Sequence, residues 1–256
     1  MTLLAAGCSW TDENYKSQWN HEHVYTRPWP STLAKMMGMD CKNVGLSGNC
    51  IEGVCRDVVT NVLTYDIKFV AVMLPPWIRF RFGDHNLNPY SVYFNNHGYE
   101  WKKDLRYATQ EYLYYHQSAK NTIEHAMTWF MMLTEFLESR EIPYLICQGG
   151  KAFHEWHTQH LSYRPDAVER NRMHHYVHTF LNHPIYDELK DKPELMGFPW
   201  SSSLGGFSMK DRLRKKWGNK KYTISGKDAH PSDEGHDYMA EIIYEWIQEK
   251  ITSSRL

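Results

Sequence analysis

The chain opens with MTLLAAGCSWT, residues 1–11, a short apolar run that breaks at Gly7-Cys8-Ser9. Three readings of that break compete: a lipoprotein signal, a plain strand-to-loop turn, or a nucleophile mounted at the end of a first strand. "LAAGC" looks loosely like a lipidation box. Only six residues precede Gly7, however, with neither a basic start nor a full apolar segment of about 7–15 residues. That reading is set aside. Thr2 to Ala6 reads as a short buried strand closed by a glycine. The choice between a bare turn and a mounted nucleophile depends on what the remaining sequence can bring to Ser9.

At 256 residues the chain is long enough for one large core, and no Gly/Ser-rich, Pro-rich or low-complexity tract divides it. The expected organisation is one domain over 1–256, with insertions at about 75–116 (aromatic-rich) and 150–222 (His-rich, then basic). The 29 basic and 30 acidic residues nearly cancel, so no global field draws the chain to nucleic acid or to an anionic membrane. The longest apolar runs, Phe69 to Leu74 and Ala126 to Leu133, are far short of a membrane span. Five cysteines without a CxxC pair (Cys8, Cys41, Cys50, Cys55, Cys147) point to free thiols in a reducing compartment, and a cytoplasmic location is expected.

Elements alternate along the chain. After the first strand, Pro28 to Gly38 reads as a helix with Ser31 as N-cap, and Cys41 to Val44 as a second strand closed by Gly45-Leu-Ser-Gly48. Asn49 to Leu63 carries Ile51, Val54, Val58 and Val62 on one stripe, a helical period. Ile67 to Leu74 is a strongly apolar strand, Asn121 to Ser139 a long amphipathic helix, Ile142 to Cys147 a strand, and Ser232 to Ile251 a last helix. Strands alternating with helices predict an α/β fold: a parallel sheet between two helical layers, a three-layer α/β/α sandwich. In such sheets working residues gather beyond the carboxyl ends of the strands, where Ser9, Gly48 and Trp77 fall.

Near the other end stands DAHPSDEGH, residues 228–236. Pro231 interrupts any ladder, and Ser232-Asp233-Glu234 suits a helix start, so Asp228 and His230 lie on the loop feeding the last helix. In an extended segment residues i and i+2 share a side. Asp228 can therefore orient the His230 imidazole, leaving its other nitrogen for a nucleophile such as Ser9, whose hydroxyl needs a base. A loop ion pair beside a helix cap is the plainer alternative.

Together, GCSWT at the start, WPSTLAKMMG followed by NVGLSGN, and DAHPSDEGH near the end resemble, in order, the blocks of the SGNH (GDSL-type) hydrolases. The style of these blocks also resembles versions found in bacteriophage genomes. The resemblance implies an SGNH-like, flavodoxin-like sandwich and Ser9 as nucleophile, His230 as base and Asp228 as its orienter. It implies the Ser9 and Gly48 N–H groups as oxyanion donors. Two departures stand out. The family sets its aspartate three residues before the histidine, where this chain has Lys227. Its third block supplies an asparagine after the third strand, where this chain has Pro75-Pro76-Trp77. Asn49 or Arg79 is the substitute donor expected, with Trp77 and Arg79 at the substrate.

The activity this implies is ester hydrolysis through an acyl-enzyme on Ser9, needing no cofactor. The substrate would be an ester-bearing small molecule or an O-acetylated glycan. The alternative is a catalytically weak SGNH-fold binding or virion structural protein. Other signals have plainer readings. Cys8 packs beneath the turn, and Ser47 lacks the flanks of a nucleophile elbow. HEWHTQH (His154, His157, His160) is not the H-E-x-x-H metal motif, and with His174, His175 and His178 it reads as compositional, so no metal is expected, although a metal-dependent hydrolase is the third option. Twelve aromatics between Trp77 and Tyr115 either form a rim that stacks on sugars or a small core of their own. The basic run Lys210 to Lys221 reads as a solvated helix face.

Overall fold

The structure is a computed structural model and describes residues 1–17, 27–82, 85–87, 119–150, 152, 176–218, 222–225 and 227–251. Its strands are β1 (Thr2–Gly7), β2 (Asp40–Asn43), β3 (Ile67–Leu74), β4 (Phe80–Phe82), β5 (His85–Leu87), β6 (Tyr144–Gln148) and β7 (Leu195–Met196). Its α-helices are α1 (Trp29–Met36), α2 (Ile51–Thr64), α3 (Ala119–Glu138), α4 (Pro184–Leu189), α5 (Met209–Trp217) and α6 (Asp233–Trp246).

Period-two alternation in fully apolar strands decides the architecture. In β1, Leu4 and Ala6 point to one face and Leu3 and Ala5 to the other, all four at 0 % exposure. In β3, Val70, Val72 and Leu74 join the first face, and Phe69, Ala71 and Met73 the second. A strand apolar on both faces must be covered on both, which a parallel sheet with crossover helices achieves. Stripes from α2 and α3 close one core (Val54, Val58, Phe130, Leu133), and α1, α5 and α6 close the other (Leu33, Leu213, Met239, Ile243).

The five-stranded sheet runs β2-β1-β3-β6-β7 and is parallel throughout. The chain moves from β1 to β2 on one side, then crosses to β3 on the other. The reversal opens a crevice beyond the carboxyl ends of β1 and β3, the place where ligands bind in doubly wound sheets. The fifth strand falls inside the 150–222 stretch expected as an insertion. No helix among the described residues is long and apolar enough to cross a membrane.

Helix starts follow local chemistry. α1 begins at Trp29, with Pro28 as its cap and Pro30 in the first turn, so Ser31 lies inside the helix and not at its cap. Proline is preorganised for that turn and lacks an N–H that would go unpaired there. The cap of α2 is Cys50, whose sulfur accepts the Gly53 N–H at 3.4 Å. The cap of α6 is Ser232, whose Oγ accepts the Gly235 N–H at 3.3 Å. α5 carries the first part of the basic run, Lys210 to Lys216, and buries Met209 and Leu213, while Arg212 and Lys216 lie over the rings of Phe207 and Tyr238, each at 3.9 Å.

Trp77 corrects an expectation. It is not at a substrate rim: it is 1 % exposed, edge-on to Phe130 and Phe180 at centroid distances of 5.2 and 5.3 Å. Its Nε1–H donates to Gln148 Oε1 at 3.1 Å, which satisfies the one polar atom that burying the ring would otherwise strand. Most of the aromatic stretch expected as a sugar platform (Tyr90, Tyr93, Phe94, Tyr99, Trp101) lies outside the described residues. Trp77→Ala is expected to lose about 3–5 kcal/mol of folding stability, seen as a lower midpoint in urea unfolding.

Candidate active site

Gly7 ends β1 because nothing larger fits. A Cβ there would stand 2.2 Å from Thr11 Oγ1 and 2.7 Å from the carbonyl oxygen of Met73 on β3. The chain turns back at once, with the Thr11 and Asp12 N–H groups donating to the Cys8 carbonyl at 2.8 and 3.0 Å. Ser9 rides on this turn. Cys8 beneath it is buried at 5 % exposure.

His230 arrives from the loop before α6. Thr223 and Pro231 form an antiparallel bridge that pinches this loop, and the Ile224 N–H donates to the His230 carbonyl at 2.9 Å. Inside the pinch, the Asp228 N–H donates to Ser225 Oγ at 3.0 Å. The result is a continuous chain: Ser9 Oγ lies 2.8 Å from His230 Nε2, and His230 Nδ1 lies 2.6 Å from Asp228 Oδ1. Asp228 Oδ1 also accepts the His230 backbone N–H at 3.0 Å, so a two-residue spacing still lets the carboxylate reach the ring. An ionised carboxylate only accepts, so the proton sits on Nδ1 and the Nε2 lone pair is left for the Ser9 hydroxyl.

Two residues not singled out in the sequence complete the arrangement. Tyr15 donates its hydroxyl proton to Asp228 Oδ2 at 2.9 Å, its oxygen lies 2.8 Å from His230 Nδ1, and its ring stacks on the imidazole at a centroid distance of 4.1 Å. Ser17 is a further hydrogen-bond donor to Asp228. The Asp228 side chain is 2 % exposed, and burial alone would raise its pKa. The hydrogen bonds from His230 and Ser17 outweigh that and hold it well below the ordinary carboxylate range. Burial, reinforced by Asp228, pushes the Tyr15 phenol up, so it stays protonated. Neither residue has a sequence signature, because their partners stand more than two hundred positions away.

Gly48 sits on the loop after β2, which is latched to the Ser9 turn. Asp12 Oδ2 accepts both the N–H and the hydroxyl of Ser47, at 3.0 and 2.6 Å, while Asn43 Nδ2 donates to the Thr11 carbonyl at 2.7 Å. Contact is close enough that a Cβ on Gly45 would meet the Thr11 carbonyl carbon at 2.6 Å. Gly48 itself has φ +83, in the left-handed region where glycine carries no steric penalty. The Asn49 side chain works at the start of α2: its amide donates to Asp57 Oδ2 and its oxygen accepts the Cys50 N–H, each at 3.0 Å. Arg79 Nη1 donates to the Asn49 carbonyl at 3.3 Å. Trp77 stands apart, in the core.

Among the described residues no group of three or more His, Cys, Asp or Glu could hold a metal ion. His154, His157, His160, His174 and His175 lie outside the described residues.

No protein-family model and no curated protein matches the chain. Solved structures similar to it include a G-D-S-L family protein from Desulfitobacterium hafniense, at 12 % identity and a TM-score of 0.47, covering 96 % of this chain and 98 % of that one. An acetylxylan esterase from Geobacillus stearothermophilus matches at 15 % identity and a TM-score of 0.48, covering 96 % and 93 %. A carbohydrate acetylesterase family member from Sinorhizobium meliloti matches at 15 % identity and a TM-score of 0.46, covering 98 % and 99 %. What the site can do rests on its own atoms.

Asp228 gives the site a pH signature. A carboxyl whose pKa is depressed in the folded state stabilises the protein above its unfolded pKa, and that contribution is lost as pH falls through the folded value. Urea unfolding should give wild type a constant advantage over Asp228→Asn at neutral pH, shrinking progressively below about pH 4.

Proposed function

We propose that the chain is a serine ester hydrolase of the SGNH kind, with O-acetyl esters on a carbohydrate as its preferred substrate. The observation that carries the chemistry is the unbroken Ser9–His230–Asp228 chain at the sheet's switch point. The acyl and carbohydrate preference follows from the resemblance of the three sequence blocks.

In this reading Ser9 Oγ attacks the ester carbonyl as its proton passes to His230 Nε2. The imidazolium so formed is stabilised by Asp228. The oxyanion is met by the backbone N–H groups of Ser9 and Gly48, whose loops the Asp12–Ser47 latch holds together. Collapse returns the proton from Nε2 to the departing alcohol and leaves the acyl group on Ser9. Water, deprotonated by His230, then attacks the acyl-enzyme, and the carboxylic acid leaves as Ser9 regains its proton.

The burial of Trp77 supports a second reading. It stands where the family's asparagine donor would fall, and removing one oxyanion donor typically reduces turnover about 10²–10³-fold. A protein with the fold and the hydrogen-bonded serine but little turnover would serve as a binding or virion structural component.

Fluorophosphonate labelling separates the two. An activated serine is labelled in the wild type and not in Ser9→Ala or His230→Ala. A folded wild type that stays unlabelled would move the assignment to the binding protein. With an active wild type, Asp228→Asn should lower kcat by roughly 10³–10⁴-fold on an acetyl ester, because the amide cannot hold the required tautomer.

A further inference from the structure

We propose that Tyr15 is a positioning residue for the base: its hydroxyl fixes the Asp228 carboxylate and its ring fixes the His230 imidazole, so that Nε2 stays turned to Ser9. The inference rests on the serine-hydrolase reading above. It begins from the aspartate's position only two residues before the histidine. Asp228 Oδ1 there takes two donors from one residue, the His230 N–H and Nδ1–H, at 3.0 and 2.6 Å. Those contacts bind the pair to itself; from outside the loop Ser17 and Tyr15 hold the carboxylate, and Tyr15 covers the face of the ring.

Tyr15 comes from outside the loop, and from the segment that carries the nucleophile. Its O–H donates to Asp228 Oδ2 at 2.9 Å, fixing the carboxylate plane. With that proton committed, a phenol lone pair faces Nδ1 at 2.8 Å, a second acceptor for the Nδ1–H. The two rings stack with an interplanar angle of 28°, so a swing of the imidazole away from Ser9 would break the stack as well as both hydrogen bonds. Residues 9–15 therefore touch the imidazole at both nitrogens, Ser9 at Nε2 and Tyr15 at Nδ1. The segment is itself fixed, through the Tyr15 N–H on the Asp12 carbonyl at 3.2 Å and through Asp12 on Ser47. When the ring takes the serine proton, its positive charge lies against an aromatic face and a phenol oxygen, both favourable to a cation.

The test compares Tyr15→Phe, which keeps the ring and removes the hydroxyl, with Tyr15→Leu, which removes both. Fluorophosphonate labelling of the wild type is read first. On p-nitrophenyl acetate, kcat should fall about 10- to 100-fold in Tyr15→Leu with KM unchanged, and Tyr15→Phe should lie between it and wild type. Nitrogen-15 NMR of histidine-labelled protein, with His230→Gln assigning the signal, should give the Nδ1–H tautomer in wild type. In Tyr15→Leu the ring, no longer held in place, should swing partly off the Asp228 carboxylate and give an admixture of the Nε2–H tautomer at a pH where free imidazole is neutral. Wild-type kcat together with an unchanged His230 tautomer in both variants would overturn the proposal. If Tyr15→Leu does not fold, Tyr15→Phe decides on the same readings. If wild type neither labels nor turns over, the hydrolase reading has failed, and the tautomer measurement alone decides whether Tyr15 holds the pair.

Discussion

The Ser9 Oγ–His230 Nε2 contact joins residues 221 positions apart across 2.8 Å, and the rest of the site depends on it. Neither residue can be displaced by much. Ser9 is fixed by the end of a central strand whose neighbours on both sides are parallel and whose side chains are packed above and below. His230 is fixed by the last helix, and α6 is docked on the face of the sheet that α1 also covers. The Trp29 N–H of α1 donates to buried His236 Nδ1 of α6 at 3.4 Å, and Arg27 pairs with Asp237 at 3.3 Å. The exposed ion pair contributes little by itself. Burial of Trp29, Leu33, Met239 and Ile243, all at 0 %, does the holding. A hydrogen bond of ordinary strength between distant segments is geometrically sharp only when the layers beneath it cannot slide.

The same demand explains the glycines at the strand ends. Gly7 and Gly45 flank the Thr11 turn and let backbone approach backbone at distances a Cβ would forbid. That approach makes the Asp12–Ser47 latch possible, and the latch ties the Gly48 loop to the turn that carries Ser9. Gly53 serves a smaller version of the same end: a Cβ there would stand 2.0 Å from Asn49 Oδ1, so its absence lets Asn49 fold back over the start of α2.

How much of this was legible in the sequence depends on the range of the cause. The two-sided apolar strands β1 and β3 and the striped helices α2 and α3 are periodic signals, written in consecutive residues, and they were readable to within a residue or two; the two-residue β7 carries no such period and was not. That Ser9, Asp228 and His230 meet was legible from the three sequence blocks taken together, a strand end and the loop before a helix start. Tyr15 was not, because it lies in an aperiodic loop and its meaning is a contact 213 positions away. Trp77 was misjudged for a related reason. An aromatic after a strand end suits a rim or a core equally, and its burial depends on Phe130, Phe180 and Trp200 from separate parts of the chain. Ser31 is not the cap because the cap lies three positions earlier, at Pro28, with Pro30 already in the first turn of the helix.

Trp77 also bears on how the site would work. β3 ends at Leu74 and is followed by Pro75-Pro76, two residues without an N–H. The carbonyls there take donors from the end of β6: Gln148 Nε2 donates to the Leu74 and Pro75 carbonyls at 3.1 Å each and the Gly149 N–H to the Leu74 carbonyl at 3.2 Å, while Gln148 Oε1 takes the Trp77 indole. Every polar atom of the Gln148 amide is thereby occupied in closing the core at the end of β3. Replacing Trp77 would leave the buried Gln148 Oε1 without its indole donor, and an acceptor stranded in the core costs more than an ordinary hydrogen bond contributes. In the proposed reaction the oxyanion falls to the backbone N–H groups of the Ser9 and Gly48 turns. Backbone donors need loops held at fixed separation, which is what the Asp12–Ser47 latch enforces.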